Sequence, residues 1–318
     1  MTRFRWLIRL LGLLIFVAIL FVVDVPHILG YLAQANFWLV ALSIVLVVPH
    51  LATKAWRWQV LLGGVGINID LLEASRLYAI GQAAGFLTPG QAGDAVKAVY
   101  LRGAGHSLGR SLVTVVVDRL YDLLVVGGLA VWGIFVFGEV PQGQTAIIVL
   151  FVAGILVLFA LFASRGWQGP LARLAVRIVP ARFLRGRDPQ RSLENLILPP
   201  STLISSFAIT VVSFIVSYFR SWLLFAALGL NVPITYFLAA TSIAGIAAIL
   251  PVTIGGVGTR DAAFVVLFSM MGYSAESAVA LSTLVLLHQV TNWVVGGLAF
   301  LWKPVGSHIP QDSGRDKA

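Results

Sequence analysis

The sequence predicts an all-α polytopic membrane protein, with about six full transmembrane helices and two re-entrant broken-helix hairpins arranged as inverted repeats. Composition is the first observation behind this prediction. Of the 318 residues, 59% are hydrophobic and 11% are charged, whereas soluble chains carry roughly 25% charged residues. The second observation is the distribution of lysine and arginine between the apolar runs. The third is a pair of similar glycine-rich stretches, each of which interrupts an apolar run.

Apolar runs follow one another along most of the chain, and a membrane span needs about 20 residues of this kind. They lie near residues 6–23, 36–53, 71–88, 110–138, 145–164, 201–229, 233–250, 262–271 and 278–302. Three arginines near the start of the first run are typical of a secretory signal. However, the small-x-small triplet Ala33–Ala35 lies too far beyond this run for ordinary cleavage. We therefore interpret the first run as a retained helix.

The lysines and arginines assign a side of the membrane to each connection through the positive-inside rule. The amino terminus, the Arg-rich loop 165–197 and the polar tail 305–318 are assigned to the cytoplasm, and the second run returns there at Lys54 and Arg57. The connections assigned to the outside contain no lysine or arginine: 25–35, 139–144, 230–233 and 272–277. We therefore expect a multi-pass protein of the cell inner membrane with both termini in the cytoplasm.

With these assignments, residues 71–101 and 233–271 must each enter and leave the membrane from one side, so we expect two re-entrant hairpins. Each contains a break, "LTPGQAGDAVKAVYL" in the first and "LPVTIGGVGTRDAAFVVL" in the second. The shared positions are Gly90, Gly93, Asp94 and Ala95 in the first, and Gly255, Gly258, Asp261 and Ala262 in the second. Matching breaks in opposite halves are typical of an inverted-repeat transporter.

The expected repeats cover about residues 1–138 and about 145–304 of a single transmembrane domain, 1–304. A break at membrane depth is tolerated only where protein buries it or water reaches it. The amino termini of the half-helices would point N–H groups at the midplane, which favours an anion there. Two simple glycine kinks that allow close helix packing remain the alternative.

Ionisable side chains inside an apolar run are costly and indicate a functional site. Asp118, Arg119 and Asp122 lie within the run 110–138, where a structural ion pair is the alternative role. Arg220 lies nearer the end of its run and either faces the interior or extends to the surface. Lys97 lies one helical turn after Asp94, so these two side chains are expected to pair. The aromatic side chains of Trp56, Trp58 and Trp302 fit an interfacial belt.

Other classes of function find little support. The chain has no cysteine, and its five histidines form no close pair with metal-ligand spacing. The net charge of +9 is not arranged as a basic stripe between stacking aromatics, so we expect no nucleic-acid partner. A nucleophile and base at recognisable spacing are also missing. We therefore expect no enzyme activity, no cofactor and no metal.

These stretches resemble the lysylphosphatidylglycerol synthase transmembrane-region family, whose members share a "G-x-x-TPG-x-x-GE-x-x-K" stretch, an intramembrane "DR" and a late "P-x-G-x-G-x-RE" stretch. Here they correspond to Gly85–Lys97, Asp118-Arg119 and Pro251–Asp261. In larger relatives this region is the flippase part of a protein that also carries a soluble synthase. The resemblance implies a lipid flippase, although aspartate replaces glutamate in both stretches and this chain ends without a synthase domain.

The leading hypothesis is therefore a flippase-like transporter of an anionic phospholipid, an aminoacyl-phospholipid, a glycolipid or a polyprenyl-linked lipid. Its predicted substrate-binding residues are Thr88, Pro89, Gly90, Gly93, Asp94, Lys97, Asp118, Arg119, Asp122, Arg220, Gly255, Gly256, Gly258, Arg260 and Asp261. The alternative is a non-transporting accessory subunit of a lipid-modifying or glycosyltransferase enzyme, docked through the Arg-rich loop. A separate lipid-modifying enzyme as partner and a homo-oligomer also stay open.

Overall fold

The computed structural model describes residues 23–138, 198–250 and 255–302, together with positions 18, 19, 150, 153, 154, 157 and 253. Within these ranges all regular secondary structure is helical. The helices long and apolar enough to cross a membrane are Phe37–Gly64, Leu108–Phe137, Pro200–Ala227 and Ala275–Trp302. The outside connection 139–144, the Arg-rich loop 165–197, the tail 305–318 and almost all of the runs 6–23 and 145–164 lie outside the described residues.

The first half of the described chain consists of α1 (Val25–Gln34), α2 (Phe37–Val45), α3 (Val47–Gly64), α4 (Leu71–Phe86), a 3-10 helix (Pro89–Ala95), α5 (Val96–Gly103) and α6 (Leu108–Phe137). Polar caps set several starting points: the side chains of Asn36, Asp70 and Ser107 accept hydrogen bonds from backbone N–H groups in the first turns of α2, α4 and α6. Residues 25–35 were expected to form a loop outside the membrane. They form helix α1 instead, which packs Ile28 against Val279 and Ala280.

Helices α2 and α3 together form a 28-residue span that is broken at Leu46. Pro49 explains the break, because its nitrogen carries no proton and its ring clashes with the carbonyl of Val45, four residues earlier. The predicted run 36–53 was too short. The span continues to Gly64, so Lys54 and Arg57 lie within it rather than beyond its cytoplasmic end. Their charges are tolerated there because carboxylates from α6 pair with both.

The second half consists of α7 (Pro200–Ala227), α8 (Ile234–Ile249), α9 (Thr259–Met270) and α10 (Ala275–Trp302). Its order repeats that of the first half: a 28-residue span, a broken helical hairpin and a second long helix. We call residues 71–103 the first hairpin and residues 234–270 the second hairpin. The prediction that both 71–101 and 233–271 are interrupted helices is confirmed, since α4 ends at Phe86 and α8 ends at Ile249.

The two halves pack across each other. Helix α4 of the first hairpin lies against α10, and helix α8 of the second hairpin lies against α6. Both contacts depend on glycine: a Cβ atom on Gly296 would lie 2.4 Å from the carbonyl oxygen of Ala79, and one on Gly133 would lie 2.9 Å from the Cα of Ala239. Such small residues let membrane helices approach closely.

Trp58 lies in the interior rather than in the interfacial belt predicted for it. Its side chain is fully buried, its Nε1–H donates to Thr114 Oγ1 over 3.0 Å, and it packs in the apolar core of the first half with Tyr78 and Tyr121. The prediction was wrong because α3 extends beyond residue 53. Trp56 and Trp302, by contrast, are exposed.

Candidate functional site

The first hairpin turns by means of a threonine and a glycine. Thr88 Oγ1 donates to the Gly85 carbonyl over 3.0 Å and accepts a hydrogen bond of 2.7 Å from the backbone N–H of Gly93. Gly93 lies directly on α4, since a Cβ atom there would be 2.1 Å from the carbonyl oxygen of Ala84. On α4, Gly81 makes room for the carboxylate of Asp94. The hairpin is therefore closed at its turn, and Asp94 is held against its first helix.

Around this turn, α3, the 3-10 helix, α5 and α6 bring together a buried set of ionisable side chains, which we call the charge cluster. Its members are Lys54, Arg57, Asp94, Lys97, Asp118, Arg119 and Asp122. Four are cations and three are carboxylates. Each cation lies within 4.0 Å of at least one carboxylate, which lowers the cost of burying so many charges.

Arg57 lies at the centre of the charge cluster with a fully buried side chain. Its guanidinium contacts Asp118 Oδ1 at 2.6 Å and Asp122 Oδ1 at 2.7 Å, and Nη1 also donates to Thr210 Oγ1 on α7. The Tyr78 hydroxyl donates to Asp118 Oδ2 over 2.9 Å. The predicted pair of aspartates on one face of α6 is thus joined by an arginine from a different span.

Lys97 is fully buried and links the hairpin to α6. Its Nζ atom lies 2.9 Å from Asp94 Oδ2, as predicted, and 3.2 Å from Asp118 Oδ2. It also lies 4.1 Å from the centre of the Tyr78 ring and 4.9 Å from that of Trp58, positions at which an aromatic face attracts a cation. The ammonium group is therefore surrounded by carboxylates and aromatic faces.

Arg119 is the most accessible member of the charge cluster, with a side chain that is 25% exposed. Its Nε donates to Asp94 Oδ2 over 3.0 Å and its Nη1 to Gln91 Oε1 over 2.5 Å. Gln91 adopts a left-handed backbone conformation with φ of 56°, which is strained for a residue with a side chain. The charge cluster carries one formal positive charge in excess, and Arg119 is its most solvent-exposed member.

At the turn of the second hairpin, the described residues form no comparable charge cluster. Gly255, Gly256 and Gly258 all have positive φ, and the N–H of Gly258 donates to Asp261 Oδ2 over 2.7 Å. Arg260 is buried and already has partners. Its guanidinium bonds to Asp261 Oδ1, to the hydroxyl and carbonyl oxygens of Ser282, and to Gln289 Oε1 on α10. Charge is therefore balanced locally at this break.

The two breaks meet. A Cβ atom on Gly255 would lie 2.5 Å from the Cζ of Phe86, the last residue of α4, so the backbone of one turn rests on the aromatic ring of the other. Helix α8 also contacts the 3-10 helix directly. The structure thus brings the predicted residues of both glycine-rich stretches to one place between the two halves.

Arg220 lies apart from both breaks, and it is buried instead of extending to the surface. The residue is 3% exposed, and its Nε donates to the carbonyl oxygen of Ser43 over 3.0 Å. Ser43 lies three residues before the break between α2 and α3. His288 Nε2 lies 2.9 Å from Ser43 Oγ. Among the described residues, no carboxylate lies within 4.0 Å of Arg220.

An apolar groove of about 580 Å³ lies between α6, α7 and α8. Its lining includes Val125, Phe214, Tyr218, Trp222 and Leu238. The groove adjoins the charge cluster, because Lys54 Nζ lies 5.8 Å from the centre of the Phe214 ring and 2.9 Å from Asp122 Oδ2. In the described part of the chain, no three histidine, aspartate or glutamate side chains form a group that could hold a metal ion.

Sequence reasoning missed four residues of this region: Lys54, Arg57, Tyr78 and Gln91. A signal for the first two was present, since Trp58, Leu61 and Leu62 continue the apolar character after Arg57 and would have extended the span. Nothing in the sequence indicated Tyr78, which lies in an apolar helix. Gln91 is distinguished only by its place in the first break, where the second break has Gly256.

Comparison with known proteins gives a family match and two related proteins. The model of the family described as the lysylphosphatidylglycerol synthase TM region matches residues 9–299. A UPF0104 membrane protein of Pyrococcus horikoshii is 22% identical over 330 residues, covering 93% of this chain and 96% of the relative. Another UPF0104 membrane protein, from Methanothermobacter thermautotrophicus, is 22% identical over 310 residues, with 91% of each chain covered.

Proposed function

Because the chain belongs to the lysylphosphatidylglycerol synthase transmembrane-region family, we propose that it moves the head group of a phosphate-bearing lipid across the membrane. The observation that carries this proposal is the charge cluster, which combines four cations with three carboxylates beside the meeting point of the two hairpins. A cluster needed only for folding would gain from complete charge balance, because an unpaired buried charge is costly. A head group with one negative charge would complete the balance.

Arg119 is the residue that first receives the head group. It is the most exposed cation of the cluster, and its planar guanidinium matches the geometry of phosphate oxygens. Binding would exchange its contact with Gln91 Oε1 for one with phosphate, while Asp94 continues to orient the side chain. Arg57 and Lys97 remain in their ion pairs and hold the cluster together.

The apolar groove between α6, α7 and α8 supports a lipid as the substrate. Its residues are aliphatic and aromatic, and it adjoins the charge cluster at Lys54 and Phe214. An acyl or prenyl chain in this groove would place its head group beside the cluster. Such a chain stays in an apolar environment while only the head group passes the polar site, so the route needs few polar residues.

The matching order of elements supports the interpretation of the two halves as inverted repeats with two re-entrant hairpins. Each half has a 28-residue span before its hairpin and a long helix after it, and the first helix of each hairpin packs on the long helix of the other half. In such transporters, alternating access arises when one repeat rocks against the other around a fixed site. We place the lipid head group at that site.

The topology can be tested with single cysteines, because the chain has none of its own. Asn68 and Ala104 flank the first hairpin, and Asn231 and Ser274 flank the second; all four are exposed. We expect an impermeant maleimide to label Asn68→Cys and Ala104→Cys only from the cytoplasmic side. Asn231→Cys and Ser274→Cys should be labelled only from the opposite side. Labelling of one flank of a hairpin from each side would contradict re-entry and make that hairpin a full crossing.

Transport can be measured in vesicles that contain the purified protein and fluorescent lipids, using an impermeant quencher to follow exposure of each lipid. We expect faster exchange of anionic lipids than in protein-free vesicles. Arg119→Gln should slow that exchange at least tenfold, whereas Arg110→Gln, which changes an arginine outside the charge cluster, should not. If no lipid class exchanges faster than in protein-free vesicles, with or without a pH gradient, the transporter proposal fails and the accessory-subunit hypothesis is favoured.

A further inference from the structure

Two arginines occupy the same position in the two halves but have different partners. Arg57 lies twenty residues after Phe37 at the start of the first 28-residue span, and Arg220 lies twenty residues after Pro200 at the start of the second. Arg57 contacts two carboxylates, at 2.6 and 2.7 Å. Arg220 has no carboxylate within 4.0 Å among the described side chains. We infer that Arg220, held by the Ser43 carbonyl, forms a second anion-binding site that accepts a phosphate group.

Two buried atoms, one on Arg220 and one on His50, have no partner within the described structure. Arg220 Nη2 and His50 Nδ1 are both shielded from solvent, and neither makes a hydrogen bond there. A buried guanidinium with a free N–H group is costly, because it has lost its hydration without gaining an acceptor. Such groups in a native protein call for an explanation, and an anion that binds here would supply the acceptor.

The hydrogen bonds of Ser43 determine the orientation of the Arg220 and His288 side chains. Ser43 Oγ donates its only proton to the Val40 carbonyl over 2.7 Å, so it must accept from His288 Nε2. The neighbouring carbonyl oxygen of Ser43 accepts from Arg220 Nε. One residue of α2 thus orients both Arg220 on α7 and His288 on α10. This leaves Nη2 of the guanidinium free for a ligand.

The position of Ser43 also suggests how an anion reaches the site. It lies just before the break at Leu46, where Pro49 prevents the helix from continuing regularly. A break of this kind lets α2 move relative to α3 with little loss of backbone hydrogen bonds. Movement of α2 would release the Ser43 carbonyl from Arg220 and open the guanidinium to a ligand.

The chemistry of the site selects phosphate-type oxyanions. Guanidinium presents parallel N–H donors that match two oxygens of a phosphate. The other arginines near the breaks are less suitable, because Arg57 and Arg260 already have partners for their guanidinium groups. The phosphate could belong to a lipid head group or be free in solution. Only its assignment to a lipid on its way across the membrane rests on the proposed function.

The test is calorimetric titration of the purified protein in an uncharged detergent. One arm uses inorganic phosphate, a second uses dihexanoyl phosphatidylglycerol, and a third uses dihexanoylglycerol, which lacks the phosphate. Each arm compares wild type with Arg220→Gln and with Arg110→Gln as the matched control. A further variant, His288→Glu, keeps Arg220 but adds a carboxylate beside it, since residues 288 and 220 share Ser43 as a partner.

We expect wild type and Arg110→Gln to bind the phosphate-bearing probe both at Arg119 and at Arg220, and we expect Arg220→Gln and His288→Glu to lose one of these two binding events. Binding of the phospholipid alone identifies a lipid head group as the ligand, and binding of inorganic phosphate identifies a free anion. Dihexanoylglycerol should not bind at this site. Equal binding by wild type and Arg220→Gln, or no binding by wild type, overturns the inference.

The same variants separate this inference from the proposed function. If wild type exchanges lipids between leaflets but binding does not depend on Arg220, the second site is wrong and the transporter proposal stands. If phosphate binding depends on Arg220 but no lipid class is exchanged, the site is real and the transporter proposal fails. Circular dichroism of Arg220→Gln and His288→Glu establishes that each variant is folded.

Discussion

The two hairpins share a backbone design but differ in charge. In each, an apolar helix ends at a glycine-containing turn, and a shorter helix follows with an aspartate near its start, Asp94 or Asp261. The first hairpin belongs to a seven-residue charge cluster that extends to α3 and α6, whereas the second balances its arginine against a neighbouring aspartate and two residues of α10. The comparison indicates that, among the described residues, buried charge is concentrated in the first half and is balanced locally at the second hairpin.

The same difference appears in the backbone at a single position. Gln91 follows Gly90 as Gly256 follows Gly255, and both residues have positive φ, 56° and 74°. Glycine adopts this conformation without strain, but glutamine does not. The first hairpin accepts that cost at the position where the side chain bonds to Arg119. The residue with the strained backbone is thus also the one whose side chain contacts the most exposed cation of the charge cluster.

The largest difference in stability is expected between Arg57→Gln and Arg220→Gln, which replace the corresponding arginines of the two halves. Arg57→Gln leaves Asp118 and Asp122 without their main partner, and loss of one member of a buried ion pair costs about 3–5 kcal/mol. Arg220→Gln removes a charge that has no carboxylate partner among the described residues, so it should cost only about 1 kcal/mol, for the lost hydrogen bond to the Ser43 carbonyl. Thermal unfolding in the same detergent measures both. An equal loss of stability in the two variants would contradict the difference in pairing.

A second large effect is expected at the turn of the first hairpin. In Gly93→Ala, the new methyl group would lie 2.1 Å from the Ala84 carbonyl oxygen, a backbone atom that cannot move aside. We expect a loss of about 3 kcal/mol, at the upper end of the range for overpacking. Gly103→Ala is the matched control, because nothing lies within 4 Å of its Cβ position. Unchanged unfolding of Gly93→Ala would show that the turn is not closed in this way.

The contact between the hairpins should give a smaller effect. Gly255→Ala places a methyl group 2.5 Å from the Phe86 ring at a residue with φ of 63°. Gly105→Ala has a similar φ of 89° but meets nothing within 4 Å, so it measures backbone strain alone. We expect Gly255→Ala to be less stable than Gly105→Ala by about 1–2 kcal/mol. When both variants also carry Phe86→Leu, most of this difference in stability should disappear. If the difference remains, the methyl group clashes with a residue other than Phe86.

The smallest effect concerns Gln91. Glycine relieves a left-handed conformation that costs about 1 kcal/mol, so Gln91→Gly should unfold at a slightly higher temperature than Gln91→Ala, which loses the same side chain but keeps the strain. The same change removes the hydrogen bond to Arg119 and should slow lipid exchange. Gln91→Asn keeps an amide in a residue that tolerates positive φ and serves as the control. Equal stability of Gln91→Gly and Gln91→Ala would contradict the presence of strain.

The sequence was sufficient for the all-helical class, the interrupted helices and the pairing of Lys97 with Asp94, because glycine, proline and hydropathy act locally. It was insufficient for the charge cluster. Arg57 lies sixty-one residues from Asp118 along the chain, and its role depends on how α3 packs against α6. The error at Lys54 and Arg57 has the same origin: a charge was taken as the end of a span, whereas distant carboxylates allow the span to continue.

The contact of Phe86 with Gly255 also affects whether ions can leak across the membrane through the protein. A membrane that stores energy as an ion gradient cannot tolerate a continuous wet path through a protein, and a cluster of buried charges attracts water into its surroundings. An aromatic ring pressed onto a bare backbone leaves no gap for water at the point where the two halves meet. Vesicles with wild-type protein should therefore hold a pH gradient, and those with Gly255→Ala should lose it faster, as a pH-sensitive dye inside them would record.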